Sequence, residues 1–130
     1  MIRKIVVIDD DPVTLTMLTK LLAQEDVQVF SSPDGLKGWE LIQRERPDLV
    51  ISDLPVPHVD GLELSRRIKN HPALESTRII LMSAVYKGFY HRSDIQASGA
   101  GDFIAKPIDT KTLREKINRL WTKEKAPGDS

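Results

Sequence analysis

Four aspartates stand where short apolar runs end. Asp9, Asp10 and Asp11 follow one such run directly, and Asp53 lies two residues after another. Carboxylates held close together repel each other and raise one another's pKa unless a cation neutralises them. Oxygen ligands favour a hard divalent ion, and Mg²⁺ commonly takes one or two carboxylates together with waters and a phosphate oxygen. If these acids converge, the pattern predicts a pocket for Mg²⁺ and a phosphoryl group.

The apolar runs form a regular series of five, each typical of a strand buried on both faces. They lie at residues 5–8, 27–30, 49–51, 79–82 and 103–105. Segments with helical spacing of apolar residues follow the runs, although the fourth, around Ile95, is poorly patterned, and strand and helix alternate five times. This alternation indicates a parallel sheet covered by helices on both faces and joined by right-handed crossovers.

The expected fold class is α/β: a flavodoxin-like, doubly wound sheet of five parallel strands in the order 2-1-3-4-5, with five helices. In such sheets, sites form at the carboxyl ends of the strands, where the strand order reverses. The reversal falls between the first and third strands, so Asp9, Asp10 and Asp53 should share one crevice. Ser83 and Lys106 end the fourth and fifth strands at the same edge.

Two helix starts can be predicted from capping residues. Asp11 precedes Pro12, which is typical of an N-cap followed by proline at the first helical position. Asp60 stands three residues before Glu63, as in a capping box. The row of three aspartates therefore divides into two candidate site residues and one cap.

Composition and missing motifs argue against several classes of protein. The 130 residues contain 19 Lys plus Arg, 19 Asp plus Glu and no cysteine. Zero net charge gives no global attraction for nucleic acid or an anionic membrane, and no segment has the length of a signal peptide's apolar region or a membrane span. The expected location is the cytoplasm. The glycine-rich turns of dinucleotide-binding and P-loop proteins are missing from the sequence. One domain is expected over residues 1–122, followed by a flexible tail or linker start at 123–130.

Four segments, taken in order, resemble the receiver domain of two-component response regulators, of the chemotaxis-regulator kind. They are residues 5–12, 48–61, 82–84 and 99–107, and the match extends over about residues 4–121. The resemblance implies a phospho-acceptor in a phosphorelay rather than an enzyme. Such a domain takes a phosphoryl group from a sensor histidine kinase or a histidine phosphotransfer protein, with Mg²⁺ as cofactor.

The resemblance also implies a role for each acid. Asp53 would accept the phosphoryl group as an acyl phosphate. Asp10 would ligate Mg²⁺ directly and Asp9 mainly through water, while Asp53 and the main-chain carbonyl of Pro55 would complete the protein ligands. The metal would offset the charge on the transferring oxygens.

A second set of residues is implied in switching. Lys106 would pair with the phosphoryl group, and Ser83 would donate its hydroxyl to it. Phe103 would turn inward when the loop after the fourth strand moves, although a plain core role fits it nearly as well. The surface made by helix four, strand five and helix five would then change its partners. The Lys106–Pro107 bond is expected to be cis.

Two positions depart from the family pattern. Pro55 and Val85, two residues after Asp53 and Ser83, offer no polar side chain beside the phosphoryl group. Such positions can help or hinder the water that hydrolyses an acyl phosphate, so slow self-dephosphorylation is expected.

Two alternatives remain open at this point. Residues 9–13 fit the Asp-x-Asp-x-Val nucleophile motif of haloacid-dehalogenase-type phosphatases, with Asp9 as the nucleophile. The phosphatase family needs a further acidic pair after its lysine to hold Mg²⁺, and only Asp109 follows Lys106 at a plausible distance. This interpretation also leaves the pattern of residues 53–61 unexplained. The other alternative is a degenerate receiver that acts purely as a binding module.

The output of the chain is not encoded in a recognisable motif. Since 130 residues leave no room for an effector domain, the chain is expected to act alone through protein contacts or to be a fragment of a longer regulator. No basic helix-turn-helix segment is visible, so direct nucleic-acid contact is not expected. A downstream protein or output domain is the expected partner, and a homodimer through the helix-four, strand-five, helix-five surface is possible.

Overall fold

The computed structural model describes residues 3–84 and 92–124, in which strands and helices alternate. A short 3₁₀ turn at Pro72–Leu74 precedes the fourth strand. The elements are β1 (Arg3–Ile8), α1 (Pro12–Leu22), β2 (Val27–Ser32), α2 (Gly35–Glu45), β3 (Leu49–Asp53), α3 (Gly61–Lys69), β4 (Arg78–Ala84), α4 (Arg92–Ala97), β5 (Asp102–Lys106) and α5 (Thr110–Glu124).

The strands form one parallel sheet in the order β2-β1-β3-β4-β5, which confirms the predicted topology. Every predicted strand is present, and each is longer than its apolar run. Burial on both faces was wrong for β2 and β5, which are only partly buried because they form the edges of the sheet. β3 lies at the centre and all five of its residues are buried. Burial on both faces explains why residues 49–51 of this strand are a continuous apolar run rather than an alternating one.

The core consists of two layers, one on each face of the sheet, because successive strand residues point to opposite faces. In β1, Val6 and Ile8 pack toward the layer that contains Ile42 and Ile68, from α2 and α3. Ile5 and Val7 pack toward the other layer, which contains residues of α1 and α5. The carboxyl end of β1 is therefore packed on both faces just before the acids that follow it.

The predicted helix starts are observed. Asp11 caps α1 by accepting a hydrogen bond from the Val13 amide, with Pro12 at the first helical position. Asp60 caps α3 by accepting one from the Glu63 amide at 2.8 Å. Both caps satisfy amides that the helix itself leaves without a partner.

Helix α5 continues to Glu124, two residues beyond the boundary expected at 122. Val85 and most of the expected tail lie outside the described residues. Within 3–84 and 92–124, no helix combines the length and apolar character needed to cross a membrane.

Candidate functional site: an acidic pocket closed by one lysine

The pocket lies at the carboxyl edge of the sheet, where β1 and β3 are neighbours. Asp9 and Asp10 follow the end of β1, and Asp53 is the last residue of β3. One carboxylate oxygen from each of the three lies within 4.8 Å of the others. The convergence predicted from the strand ends is therefore present in the structure.

Lys106 is the last residue of β5, the edge strand two positions from β3, and its side chain extends into the pocket. Its Nζ lies 2.7 Å from Asp9 Oδ2 and 3.1 Å from Asp53 Oδ2. The peptide bond between Lys106 and Pro107 is cis, as expected. A single ammonium group thus bridges two of the three carboxylates.

The environment favours the neutral form of one acid and the charged form of the lysine. Burial raises the pKa of the Asp53 carboxyl above 3.8, and the nearby charge of Asp9 adds to this, while Lys106 opposes it. For Lys106, burial acts to lower the pKa, but the hydrogen bonds to Asp9 and Asp53 outweigh it and the pKa is raised. The pocket therefore favours the charged form of Lys106 and disfavours the charged form of Asp53.

The donor set fits a hard divalent cation. Asp9 is fully buried and Asp10 is exposed, so the carboxylates span the pocket from floor to mouth. Asp53 Oδ1 is buried and has no hydrogen-bond partner in the described part of the chain. Three carboxylates with one lysine leave negative charge uncompensated, and a buried oxygen without a partner is unusual enough to need an explanation. A cation with oxygen preference, such as Mg²⁺, satisfies both requirements.

Asp11 does not belong to this pocket. Its side chain caps α1 through Val13 and also accepts a hydrogen bond from the Thr14 hydroxyl at 2.8 Å. Its amide donates to Asp9 Oδ1 at 2.9 Å, which helps to orient that carboxylate. The division of the three aspartates into two site residues and one cap agrees with this geometry.

Among the described residues, the Ser83 hydroxyl bonds outside the set of pocket carboxylates, and Phe103 packs against the core. Ser83 is buried, and its hydroxyl donates to the Ala84 carbonyl at 2.9 Å rather than to Asp53. Phe103 is partly buried and packs against the layer that contains α3. It also lines an open groove whose other walls include Ile95 of α4 and Lys116 of α5.

Two glycines fix the segment after Asp53: Gly61, which belongs to the receiver-like segment 48–61, and Gly35, which the sequence patterns did not single out. The Gly35 amide donates to the Pro57 carbonyl at 2.9 Å, and the Gly61 amide donates to the Leu54 carbonyl at 2.8 Å. A Cβ at either position would meet backbone atoms within 3.0 Å. Glycine at the first position of α2, where it lowers helix propensity, was the available signal.

Replacing Asp53 with asparagine is expected to stabilise the metal-free protein. Because folding raises the Asp53 pKa, this carboxyl contributes stability below its unfolded pKa that is lost as the pH rises through its folded pKa. Asparagine stays neutral, so D53N should unfold at a higher urea concentration than the wild type at pH 7. This gain in stability should vanish when the pH falls below the ordinary value of 3.8.

Urea unfolding in the presence of a chelator, at neutral and acidic pH, measures this difference. The exposed Asp26 supplies a control, since D26N should change stability little at either pH. A neutral-pH loss of stability in D53N would show that the Lys106 contact outweighs the cost of burial.

Comparison with known proteins identifies the family. The family model of the response regulator receiver domain matches residues 5–118. The chain belongs to this family, the receiver domains of two-component phosphorelays.

Individual relatives agree with this assignment. Sporulation initiation phosphotransferase F of Bacillus subtilis is 31% identical over 117 residues, which cover 90% of this chain and 92% of that protein. The 3',5'-cyclic-nucleotide phosphodiesterase regA of Dictyostelium discoideum is 34% identical over 128 residues, 94% of this chain but 16% of that protein. The chain therefore spans a small part of some relatives and nearly all of others.

The fold has close structural counterparts. The chemotaxis response regulator CheY4 of Vibrio cholerae superposes with a TM-score of 0.82 at 22% identity, over 92% of this chain and 99% of that one. At this identity the likeness establishes the fold alone.

Proposed function

We propose that the chain is a phospho-acceptor that takes a phosphoryl group from a phosphohistidine onto Asp53, in the cytoplasm. The observation that carries the proposal is the buried Asp53 Oδ1, which has no partner among the described residues and shares its pocket with two acids and a lysine. The donor would be a sensor histidine kinase or a histidine phosphotransfer protein. Family membership and the pocket chemistry support the same reaction.

The chemistry is a transfer between two nucleophiles. An Asp53 carboxylate oxygen attacks phosphorus, a P–O bond forms, and the P–N bond to the donor histidine breaks, leaving its imidazole neutral after proton exchange. The Lys106 ammonium, now between Asp9 and Asp53, is placed to pair with a phosphoryl oxygen. Ser83 would exchange its bond to the Ala84 carbonyl for one to the phosphoryl group.

Mg²⁺ is the cofactor that fits the donor set. Asp9, Asp10 and Asp53 would hold it, together with the main-chain carbonyl of Pro55. When bound, it neutralises charge on the transferring phosphoryl oxygens. The protein side chains meanwhile hold the carboxylates in place: Asp9 is fixed by the Asp11 amide at 2.9 Å and by Lys106 at 2.7 Å.

Phosphorylation would act on the surface formed by α4, β5 and α5. A phosphoryl group adds about −1.5 to −2 charge, enough to draw Ser83 and Lys106 toward it. Phe103 lies three residues before Lys106 on β5 and borders the groove between α4 and α5. A change there would bias the surface toward a downstream protein, an output domain or a second copy of the chain.

Incubation with acetyl phosphate and Mg²⁺, followed by intact mass measurement, tests the proposal. The wild type should gain one phosphate, and D53A should gain none. Steady release of inorganic phosphate that depends on Asp9 would instead support the phosphatase alternative. Absence of phosphate gain in a folded, Mg²⁺-binding wild type would leave the binding-module alternative.

Slow self-dephosphorylation is part of the same proposal. Pro55 is exposed beside Asp53 and has no polar group to orient the hydrolytic water. P55N should therefore shorten the half-life of the phosphorylated form by about tenfold, which is less than a general acid or base contributes because asparagine would orient the water without taking its proton. Loss of labelled phosphate from both proteins measures the effect, and equal rates would contradict it.

A further inference from the structure

The segment between β3 and α3, residues 54–60, carries the Pro55 carbonyl and is fixed firmly at both ends. The Leu54 amide donates to the Met82 carbonyl at 2.8 Å, and the Gly61 amide donates to the Leu54 carbonyl at 2.8 Å. At the second end, a Cβ on Gly61 would lie 2.7 Å from the Asp53 carbonyl oxygen, so the chain passes very close to the acceptor residue. We call residues 54–60 the acceptor loop.

The middle of the acceptor loop rests against the start of α2. The Pro57 carbonyl accepts a hydrogen bond from the Gly35 amide at 2.9 Å and another from the Val59 amide at 2.9 Å. A Cβ built on Gly35 would lie 1.7 Å from the Val59 carbonyl oxygen and 2.7 Å from its carbon. Because both atoms are backbone, no side-chain rotation could relieve that contact, and the loop would have to move.

The acceptor loop contains a residue in an unfavourable backbone conformation, which the surrounding structure must stabilise. His58 has φ of 72°, in the left-handed region that non-glycine residues seldom adopt. Such conformations cost free energy and persist where the surroundings impose them. Its neighbours in sequence, Pro57 and Val59, are the two residues that meet Gly35. His58 itself contacts α2 only loosely, with Nε2 3.8 Å from Asp34 Oδ2.

We infer that Gly35 is a positioning residue for the phosphoryl and metal pocket, acting through the acceptor loop. This inference rests on the proposed function, since it concerns the Pro55 carbonyl as a metal ligand. With Leu54 and Gly61 held, a displacement of residues 57–59 must be absorbed by the peptide groups on either side, which include that of Pro55. The absence of a side chain at Gly35 sets how closely the loop approaches α2, and so the direction of this carbonyl.

The substitution G35A tests the inference, and G38A is its matched control. Gly38 lies on the same helix, and a Cβ there would meet the buried Ile8 side chain at 2.5 Å instead of backbone, so the strain falls on the core and not on the acceptor loop. G35A should bind Mg²⁺ about tenfold more weakly than the wild type, and G38A within about twofold, in keeping with the effects of groups that orient metal ligands. Amide NMR titration gives the affinities, and urea unfolding without Mg²⁺ gives the stabilities.

The rate of phosphorylation distinguishes a misplaced metal ligand from a general loss of structure in G35A. At saturating Mg²⁺, G35A should recover most of the wild-type rate of phosphorylation by acetyl phosphate, because the weakened metal site is then fully occupied. Equal Mg²⁺ affinities in G35A and G38A would overturn the inference. A wild type that binds Mg²⁺ but never gains phosphate would count against the proposed function, and not against the role of Gly35 in metal binding.

If G35A does not fold, amide hydrogen exchange in the wild-type protein tests the role of Gly35. Exchange of the Gly35 amide hydrogen, which bonds to the Pro57 carbonyl, should slow by at least about threefold on Mg²⁺ binding as the loop is held more tightly. The Gly38 amide, which bonds within α2 to the Asp34 carbonyl, should not change. Equal responses of the two amides would contradict the inference.

Discussion

Replacement of Lys106 with methionine is expected to lower the free energy of unfolding by about 3 kcal/mol in metal-free buffer, the scale for breaking a buried ion pair by removing one partner. The Asp9 carboxylate is fully buried and depends on Lys106 Nζ at 2.7 Å for charge compensation. Without the ammonium group, Asp9, Asp10 and Asp53 would repel each other with no cation between them. Excess Mg²⁺ should restore a large part of the loss, because a ligand that binds only the folded state stabilises it.

Lys116 supplies a matched control for this experiment. Its side chain has the same exposure as that of Lys106, 21%, and its Nζ lies 3.0 Å from Asp102 Oδ1. Asp102, however, keeps 20% exposure, whereas Asp9 has none. K116M should therefore cost less than about 1 kcal/mol and be insensitive to Mg²⁺. Equal losses in the two variants, or no recovery of K106M by Mg²⁺, would contradict this account of the pocket.

Replacement of Asp10 with asparagine should weaken Mg²⁺ binding by at least about tenfold, a scale that outer groups of metal sites already reach. Asp10 is exposed, and its charge adds to the rise in the pKa of Asp53. Its removal should therefore leave the stability of the metal-free protein unchanged or slightly higher. Loss of metal affinity without loss of stability is the expected signature of a ligand at the mouth of the pocket.

Asp11, the next residue in the chain, supplies a control for the D10N experiment. Asp11 has the same chemistry one position later but caps α1, and asparagine is an equally good N-cap. D11N should therefore keep Mg²⁺ affinity within about twofold of the wild type. Amide NMR titrations with Mg²⁺ compare the two variants directly. A weaker affinity in D11N than in D10N would mean that the roles of the two acids are assigned the wrong way round.

The sheet could be predicted because its signals are local and repeat. Most of the strands contain a short run rich in β-branched residues, and the strand order places Asp9 and Asp53 side by side once a doubly wound topology is assumed. The caps at Asp11 and Asp60 were likewise predictable, since capping depends on residues within three positions of each other.

Contacts between residues that are distant in sequence, and side-chain rotamers, could not be predicted from local patterns. The position of Lys106 between two carboxylates depends on the exact register of β5 across the sheet. The bond of the Ser83 hydroxyl to the Ala84 carbonyl is a rotamer choice without a sequence signature. The fit of Gly35 against Val59 joins residues that are distant in sequence, and only the tertiary structure shows that a side chain has no room there.

The central claim is that Asp53 carries the phosphoryl group, and trapping the acyl phosphate tests it most directly. After incubation with acetyl phosphate and Mg²⁺, borohydride reduction converts an aspartyl phosphate to homoserine, which peptide mass mapping locates. The account predicts homoserine at position 53 and unmodified aspartate at positions 9 and 10. Homoserine at position 9, or no modification in wild-type protein that is folded and binds Mg²⁺, would contradict it.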